Sequence, residues 1–356
     1  MHWKATRLSE LGHDVMVVTA FSRANRAIPK TLYRVREENI APRGDLLSIQ
    51  RGVLALLRNY AHCADIFHVD GQLFLYGAGW YRLTGGTVPV AAFFNMRLRE
   101  RHTPLSLWGA LRMALERVIG ARIANYIDGF IFNTPHLRAH YERFGIYPRH
   151  CTIIEDFVDT EALMHAYPPS REQEPTKIHL LASGRILPEK GFAILLRAFA
   201  SLQHKERYEL TISGSGPDEG RIKEVARELG LLTSVHFPGW VPRETLLEFF
   251  RTADIFVFPR WWIECGSAVL SEAFAFGLPT IVPKGGALEW LSRRASLSFT
   301  DGDATALRDA IEKLGTDHRM RRTLSEKALE TARGLAYQKL GDRLAGFLNE
   351  ISAARG

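Results

Sequence analysis

Apolar and polar positions alternate along this 356-residue chain between two periods. Short apolar runs rich in β-branched and aromatic residues read as buried strands, and stretches with apolar residues every three or four positions read as helices packed by one face. In the first half this predicts strands at 15–19, 66–69, 88–94 and 129–132, and helices at 46–62, 73–83, 105–122 and 135–144. The 105–122 helix has Leu107, Leu111, Leu115, Val118 and Ile119 on one apolar side. A hinge is expected around Phe157-Val158-Asp159, followed by a polar, proline-bearing stretch over 168–175. From Lys177 the alternation restarts, with strands at 178–183, 209–213, 234–237, 255–258, 280–282 and 297–299, and a final helix at 336–353. Strand–helix alternation of this kind builds parallel α/β sheets, and the length exceeds what one core usually holds. The expected organisation is an N-terminal domain (1–160), a C-terminal domain (177–335) and a last helix (336–356) returning to the first.

Composition adds few constraints. Hydrophobic residues at 46% and charged residues at 24% suit a globular protein. No apolar run approaches the roughly 18 residues of a membrane-spanning helix, and Lys4, Arg7 and Glu10 leave no apolar core for a signal peptide near Met1. Cys63, Cys151 and Cys265 are odd in number and far apart, which favours a reducing, cytoplasmic setting over a disulfide framework. The net charge of +7 is uneven: residues 1–160 hold 20 Lys and Arg against 14 Asp and Glu, the remainder 26 against 25. A basic first half suits an anionic membrane surface, with peripheral attachment, or an acidic acceptor; it equally suits a plain solvated surface. No nucleic-acid motif is present, so nucleic acid is not expected as a partner.

The densest chemistry lies at Trp261-Trp262-Ile263-Glu264-Cys265-Gly266-Ser267, where a predicted strand gives way to a helix running from Ala268 to Phe276 and stopped by Gly277-Leu278-Pro279. At about 1.5 Å of rise per residue, Glu264 and Glu272 lie roughly 12 Å apart along the axis. That distance matches a sugar ring, a diphosphate and a ribose in line. The helix start between the two carboxylates offers N–H groups and a positive dipole end to phosphate. One carboxylate for a sugar and one for a ribose, with a helix tip for diphosphate, describe a nucleotide-sugar site.

With these residues in view the chain resembles the family-4, GT-B-fold retaining glycosyltransferases, whose mark is E-x7-E. Companion motifs stand in family order: Gly184-Arg185-Ile186-Leu187-Pro188-Glu189-Lys190-Gly191, Ser213-Gly214-Ser215-Gly216-Pro217, Gly239-Trp240-Val241-Pro242 and Gly285-Gly286-Ala287-Leu288-Glu289. The resemblance implies two Rossmann-like, doubly wound parallel-sheet domains facing across a cleft. It implies transfer of a hexose-type sugar from a nucleoside diphosphate to a glycan or lipid-linked acceptor, with no further cofactor. Glu264 would hold the donor sugar near the developing positive charge, and Glu272 the ribose. Arg185 and Lys190 would stabilise the departing diphosphate, aided by Gly266 and Ser267. Gly214 would keep the backbone close to the nucleotide, and Trp240 and Val241 would flank the base. Asn95 stands where the family typically has a His near the reacting sugar, and with Arg97 it would face the acceptor or a phosphate.

Plainer readings accompany several of these positions. Arg185 and Lys190 would otherwise be loop cations, Trp240 a packed loop aromatic, and the Asn95–Arg97 segment a solvated turn. Gly214-Ser215-Gly216-Pro217 lacks the third glycine of a dinucleotide fingerprint. Asp301-Gly302-Asp303 spells D-x-D, but Asp303 reads as a helix N-cap, and no metal site is expected. Family members open with a strand and a glycine loop before a stretch like Leu8–Thr19, so residues 1–11 are expected to lack that strand. A chain without it could bind a nucleotide sugar or a partner subunit without transferring anything.

Overall fold

The computed structural model describes residues 1–19, 31–40, 45–98, 114, 116–167, 176–259 and 266–354. The chain divides into two units, one of Met1–Phe157 with Tyr337–Gly356 and one of Val158–Ala336. Among the described residues no helix is long and apolar enough to cross a membrane.

Among its described residues the first unit holds six strands: β1 (Met16–Thr19), β2 (Arg34–Glu37), β3 (Phe67–Asp70), β4 (Val90–Phe94), β5 (Gly129–Phe132) and β6 (His150–Ile153). β3-β4-β5-β6 form one parallel sheet, and β1 and β2 a separate parallel pair. Among the described residues no ladder joins β1 to β3. β4 and β5 are apolar and buried at every position, as strands covered on both faces must be. β1 and β3 are only half-buried at every position, in keeping with strands that have one open edge. The periodicity passes over β2 and β6. Arg34-Val35-Arg36-Glu37 is mostly exposed and charged, and β6 is a half-buried edge strand, so neither presents an apolar run.

Residues 2–10 form a helix, His2–Glu10, whose Lys4 is buried. Its ammonium bonds Asp70 at 3.0 Å and sits 3.0 Å from the centre of the Phe93 ring. The last helix, Tyr337–Ala353, lays Leu340, Leu344, Phe347 and Ile351 on Ala91, Phe93, Ile131 and Ile154 of the same sheet. Gly129 is bare where a Cβ would run into Ile351. Arg343 of this helix bonds the buried Glu155 at 2.9 Å.

Of the expected 105–122 helix, 105–113 and 115 lie outside the described residues. Its end is a π-type turn, Glu116–Gly120, and a short helix, Ala121–Ala124. Val118 and Ile119 are exposed there rather than on a buried side. A turn closed at i+5 carries side chains off the 3.6-residue register on which the apolar side was drawn.

The second unit holds β7 (Ile178–Ser183), β8 (Tyr208–Ser213), β9 (Val235–Gly239), β10 (Ile255–Val257), β11 (Thr280–Pro283) and β12 (Ser296–Phe299). They form one parallel sheet in the order β12-β11-β10-β7-β8-β9. One core gathers Leu180, Leu195, Ile212 and Ile311, and another gathers Leu181, Phe250, Phe256 and Phe274. Alternate residues of β7 thus serve opposite faces.

His68 on β3 has a marked acid–base character. Both ring nitrogens are shut from solvent and have no hydrogen-bond partner among the described residues. Burial, then the Lys4 ammonium, push its pKa down to about 3, with Asp70 pulling the other way. The folded chain therefore keeps His68 neutral to about pH 3, whereas an unfolded chain protonates it near 6.5. The unfolded state binds the extra proton between those limits, so stability is full above about pH 6.5 and declines as pH drops toward 3. His68→Phe, beside Phe93, should remove this part of the acid dependence. Urea unfolding at about pH 7 and about pH 4.5 should show a smaller loss in the variant, by on the order of 1–3 kcal/mol. Equal losses in both chains would exclude His68 as the responsible group.

Candidate nucleotide-sugar site

Three loops leave the carboxyl ends of β7, β8 and β9 in backbone contact. The Gly184 N–H donates to the Ser213 carbonyl at 3.0 Å, the Ile186 N–H to Ser215 at 2.9 Å, and the Gly214 N–H to Gly239 at 2.8 Å. Gly214 has φ +133, and a Cβ there would strike the Gly184 carbonyl; one on Gly216 would strike the Ile186 carbonyl. Glycine is required here by conformation and by space together. The result is a shelf of bare backbone at the end of the sheet where open α/β folds take ligands. Asp218, just past it, is buried and held by both sides of the Arg221 guanidinium, at 2.7 and 2.6 Å.

Arg185 rises exposed from the first of these loops. Pro188–Lys190 makes a 3-10 turn, and left-handed Gly191 (φ 73) starts the Phe192–Ala200 helix. The Lys190 ammonium lies 5.7 Å from the centre of the Phe258 ring, directly after β10. Lys190 is thereby placed at the end of the strand that leads toward the E-x7-E segment. Glu264 itself lies outside the described residues. Beyond it, the Ser267 hydroxyl accepts from the Leu270 N–H at 3.2 Å and caps the Ala268–Ala275 helix, with Gly266 half-buried beside it.

Glu272 is 7% exposed, and its Oε1 accepts from Arg243 Nη1 at 2.7 Å. Arg243 opens the Arg243–Thr252 helix immediately after Gly239-Trp240-Val241-Pro242. This contact joins the Trp240–Val241 loop to Glu272, and Arg243 is a residue the sequence reading missed. A signal was available: a cation in the first turn of a helix faces the positive dipole end and calls for an anion nearby. Trp240 is 74% exposed, so it is not packed into its loop; Val241 is half-buried. Glu289 fixes the glycine turn on the other side, its oxygens accepting from the Gly285 N–H and the Ser298 hydroxyl, each at 2.6 Å. The Ser298 bond, then the Gly285 N–H, lower the Glu289 pKa.

Asp303 caps the Ala304–Thr316 helix, accepting from the Thr305 and Ala306 N–H groups at 2.8 and 3.1 Å. Among the described residues no three His, Cys, Asp or Glu side chains are grouped to hold a metal ion. Asn95 and Arg97 belong to the first unit. Asn95 is exposed at the end of β4, and Arg97 is half-buried near His136, whose pKa burial and this arginine both lower. Tyr141 donates to the Met96 carbonyl at 3.1 Å and steadies the loop. Neighbouring strand ends carry Asp70 with Lys4, and buried Asn133, whose amide donates to Asp156 at 3.4 Å.

The profile described as "Glycosyl transferases group 1" matches residues 166–331, and that of "Glycosyltransferase Family 4" matches residues 4–162. Lipopolysaccharide core biosynthesis glycosyltransferase LpsE of Rhizobium meliloti is 26% identical, over 58% of this chain and 59% of its own length. The match thus spans less than two thirds of that relative. Sucrose-phosphate synthase from Thermosynechococcus elongatus superposes with a TM-score of 0.79 at 19% identity, covering 99% of this chain and 92% of that one. Anabaena HepE, solved in complex with UDP, superposes with a TM-score of 0.71 at 16% identity, covering 89% and 86%. At such identities the likeness of structure establishes the fold.

Gly214→Ala should lower the stability of the second unit by about 2 kcal/mol or more, since positive φ and a backbone clash act together. Thermal unfolding followed by circular dichroism measures this. An unchanged transition would mean that the three loops are not in the contact described.

Proposed function

We propose that this chain, which has the GT-B fold, is a glycosyltransferase that moves a hexose-type sugar from a nucleoside diphosphate to a hydroxyl of a glycan or lipid-linked acceptor, with retention at the anomeric carbon. The observation that carries this reading is the buried Glu272, held on one oxygen by Arg243 of the helix that follows Gly239, whose carbonyl is bonded by Gly214 of the glycine shelf. Among the described residues the other oxygen of Glu272 has no partner and would accept from ribose hydroxyls, with Arg243 acting as a positioning residue for it. Backbone at Gly214 and Val241 passes close to the nucleotide, with exposed Trp240 beside the base.

Lys190, Arg185 and the helix start at Gly266-Ser267 would meet the diphosphate. As the bond from the anomeric carbon to the phosphate oxygen breaks, the electron pair leaves with the diphosphate, and fixed cations stabilise the growing charge. Glu264 sits near the positive charge on the sugar. The acceptor oxygen then bonds to the same face of that carbon, and its proton passes to the departing phosphate oxygen. Asn95 and Arg97 are assigned to the acceptor side, where Asn95 can hydrogen-bond a hydroxyl but cannot act as a base. The odd number and wide spacing of Cys63, Cys151 and Cys265 support a cytoplasmic setting for this reaction.

Steady-state kinetics with the donor varied tests the division of labour. Glu272→Ala should raise the donor KM about 10- to 100-fold with kcat nearly kept, because the ribose does not change during reaction. Lys190→Ala should lower kcat about 100-fold or more. Arg243→Gln should raise the donor KM, and adding it to Glu272→Ala should have little further effect, since one acts through the other. Equal kcat losses with unchanged KM in both single variants would overturn the assignment. Nuclear magnetic resonance of the product should show the donor's anomeric configuration; the opposite anomer would refute retention.

A further inference from the structure

Arg243 uses only part of its guanidinium on Glu272. Its Nη1 donates to Glu272 Oε1 at 2.7 Å, and among the described residues no other acceptor bonds it. The side chain is 56% exposed. A guanidinium carries five N–H donors in a fixed fork, so a second edge is left to hydrogen-bond a group that arrives from solvent. Trp240, three residues earlier, is 74% exposed. Pro242 between them stands at the N-cap of the Arg243–Thr252 helix with φ −56, and its ring holds the backbone that carries both side chains. The space over this loop is open: a Cβ built on Gly239 or on Gly184 would meet nothing within 4 Å. A bicyclic aromatic face and an unused pair of donors thus stand three residues apart at the rim of the glycine shelf.

We propose that Trp240 and Arg243 together select guanine as the base of the donor nucleotide, with the indole stacked on the base and the free edge of the guanidinium on its N7 and O6. The proposal rests on the nucleotide-sugar reading and adds to it the identity of the base. Glu272 takes Arg243 on one oxygen and the ribose on the other, which sets the guanidinium beside the ribose and so beside the base it carries. Two parallel N–H donors call for two neighbouring acceptors on one edge. Guanine presents them at N7 and O6, whereas adenine sets an amino group beside N7 and uracil sets an N–H beside each carbonyl. Cytosine also offers a pair, N3 with O2, but its single ring covers less of an indole than a purine does. Lysine at position 243 could satisfy Glu272 by charge alone; the fork of an arginine adds the second, planar contact.

Titration calorimetry of the full chain with GDP, UDP, ADP and CDP tests the proposal. GDP should bind about 10-fold or more tightly than each of the others, the discrimination expected of a bidentate arginine. Arg243→Lys should bring GDP to within about threefold of UDP, because an ammonium keeps the charge but loses the fork. An Arg243 that only positions Glu272 would instead weaken all four nucleotides alike in this variant, since all four share the ribose. Trp240→Ala should weaken GDP by about 10-fold or more and UDP by less. Circular dichroism checks that both variants fold. Equal affinities for GDP and UDP, a preference for another base, or an Arg243→Lys chain that keeps the preference for GDP would overturn the proposal while leaving the nucleotide site in place. Failure of all four nucleotides to bind would refute the nucleotide-sugar reading itself, and this proposal with it.

Discussion

The backbone contact among Gly184, Gly214 and Gly239 is the constraint on which the second unit's site depends. In a parallel sheet every strand delivers its loop to the same edge, and three adjacent loops must share that edge. Here they do so by touching through main chain, which only residues without a Cβ permit at Gly214 and Gly216. Close contact leaves backbone groups at the surface and no side chains to cover them. It also sets the position of the helix that starts four residues after Gly239, and with it Arg243.

Arg243 and Glu272 each relieve a problem for the other. A guanidinium in the first turn of a helix meets the positive end of the dipole, and a buried carboxylate is costly unless it is paired. At 2.7 Å the pair answers both needs. One carboxylate oxygen is thereby fixed, and the direction of the other is decided by packing rather than by chance. The same logic places Glu289 between the Gly285 N–H and the Ser298 hydroxyl, where it holds a glycine turn in a single conformation.

The first unit is built differently at its edges. β4 and β5 are fully buried, while β1 and β3 remain half-exposed, and beside β3 the buried Lys4 pairs with Asp70 next to the neutral His68. The last helix compensates from the other end of the chain by burying Leu340, Leu344, Phe347 and Ile351 on this sheet and pairing Arg343 with Glu155. Glu155, just past β6, is thus tied to a helix almost two hundred positions away.

Periodicity by itself determined most strands, and the helices it bounded at 46–62, 73–83, 135–144 and 336–353, to within a residue or two, because burial of alternate or every third position is a local property that the chain writes locally. Motif spacing likewise marked the glycine loops, Lys190, Glu272 and the Asp303 cap, since turns and caps need particular residue types at fixed offsets. Only the tertiary structure decided that Arg243 meets Glu272, that Lys4 meets Asp70, that Trp240 stands in solvent, and that Val118 and Ile119 turn outward. These pairings join loops separated by tens of residues. Which loops become neighbours follows from strand order in the sheet, and strand order is settled by how whole faces pack, not by the identity of any one residue.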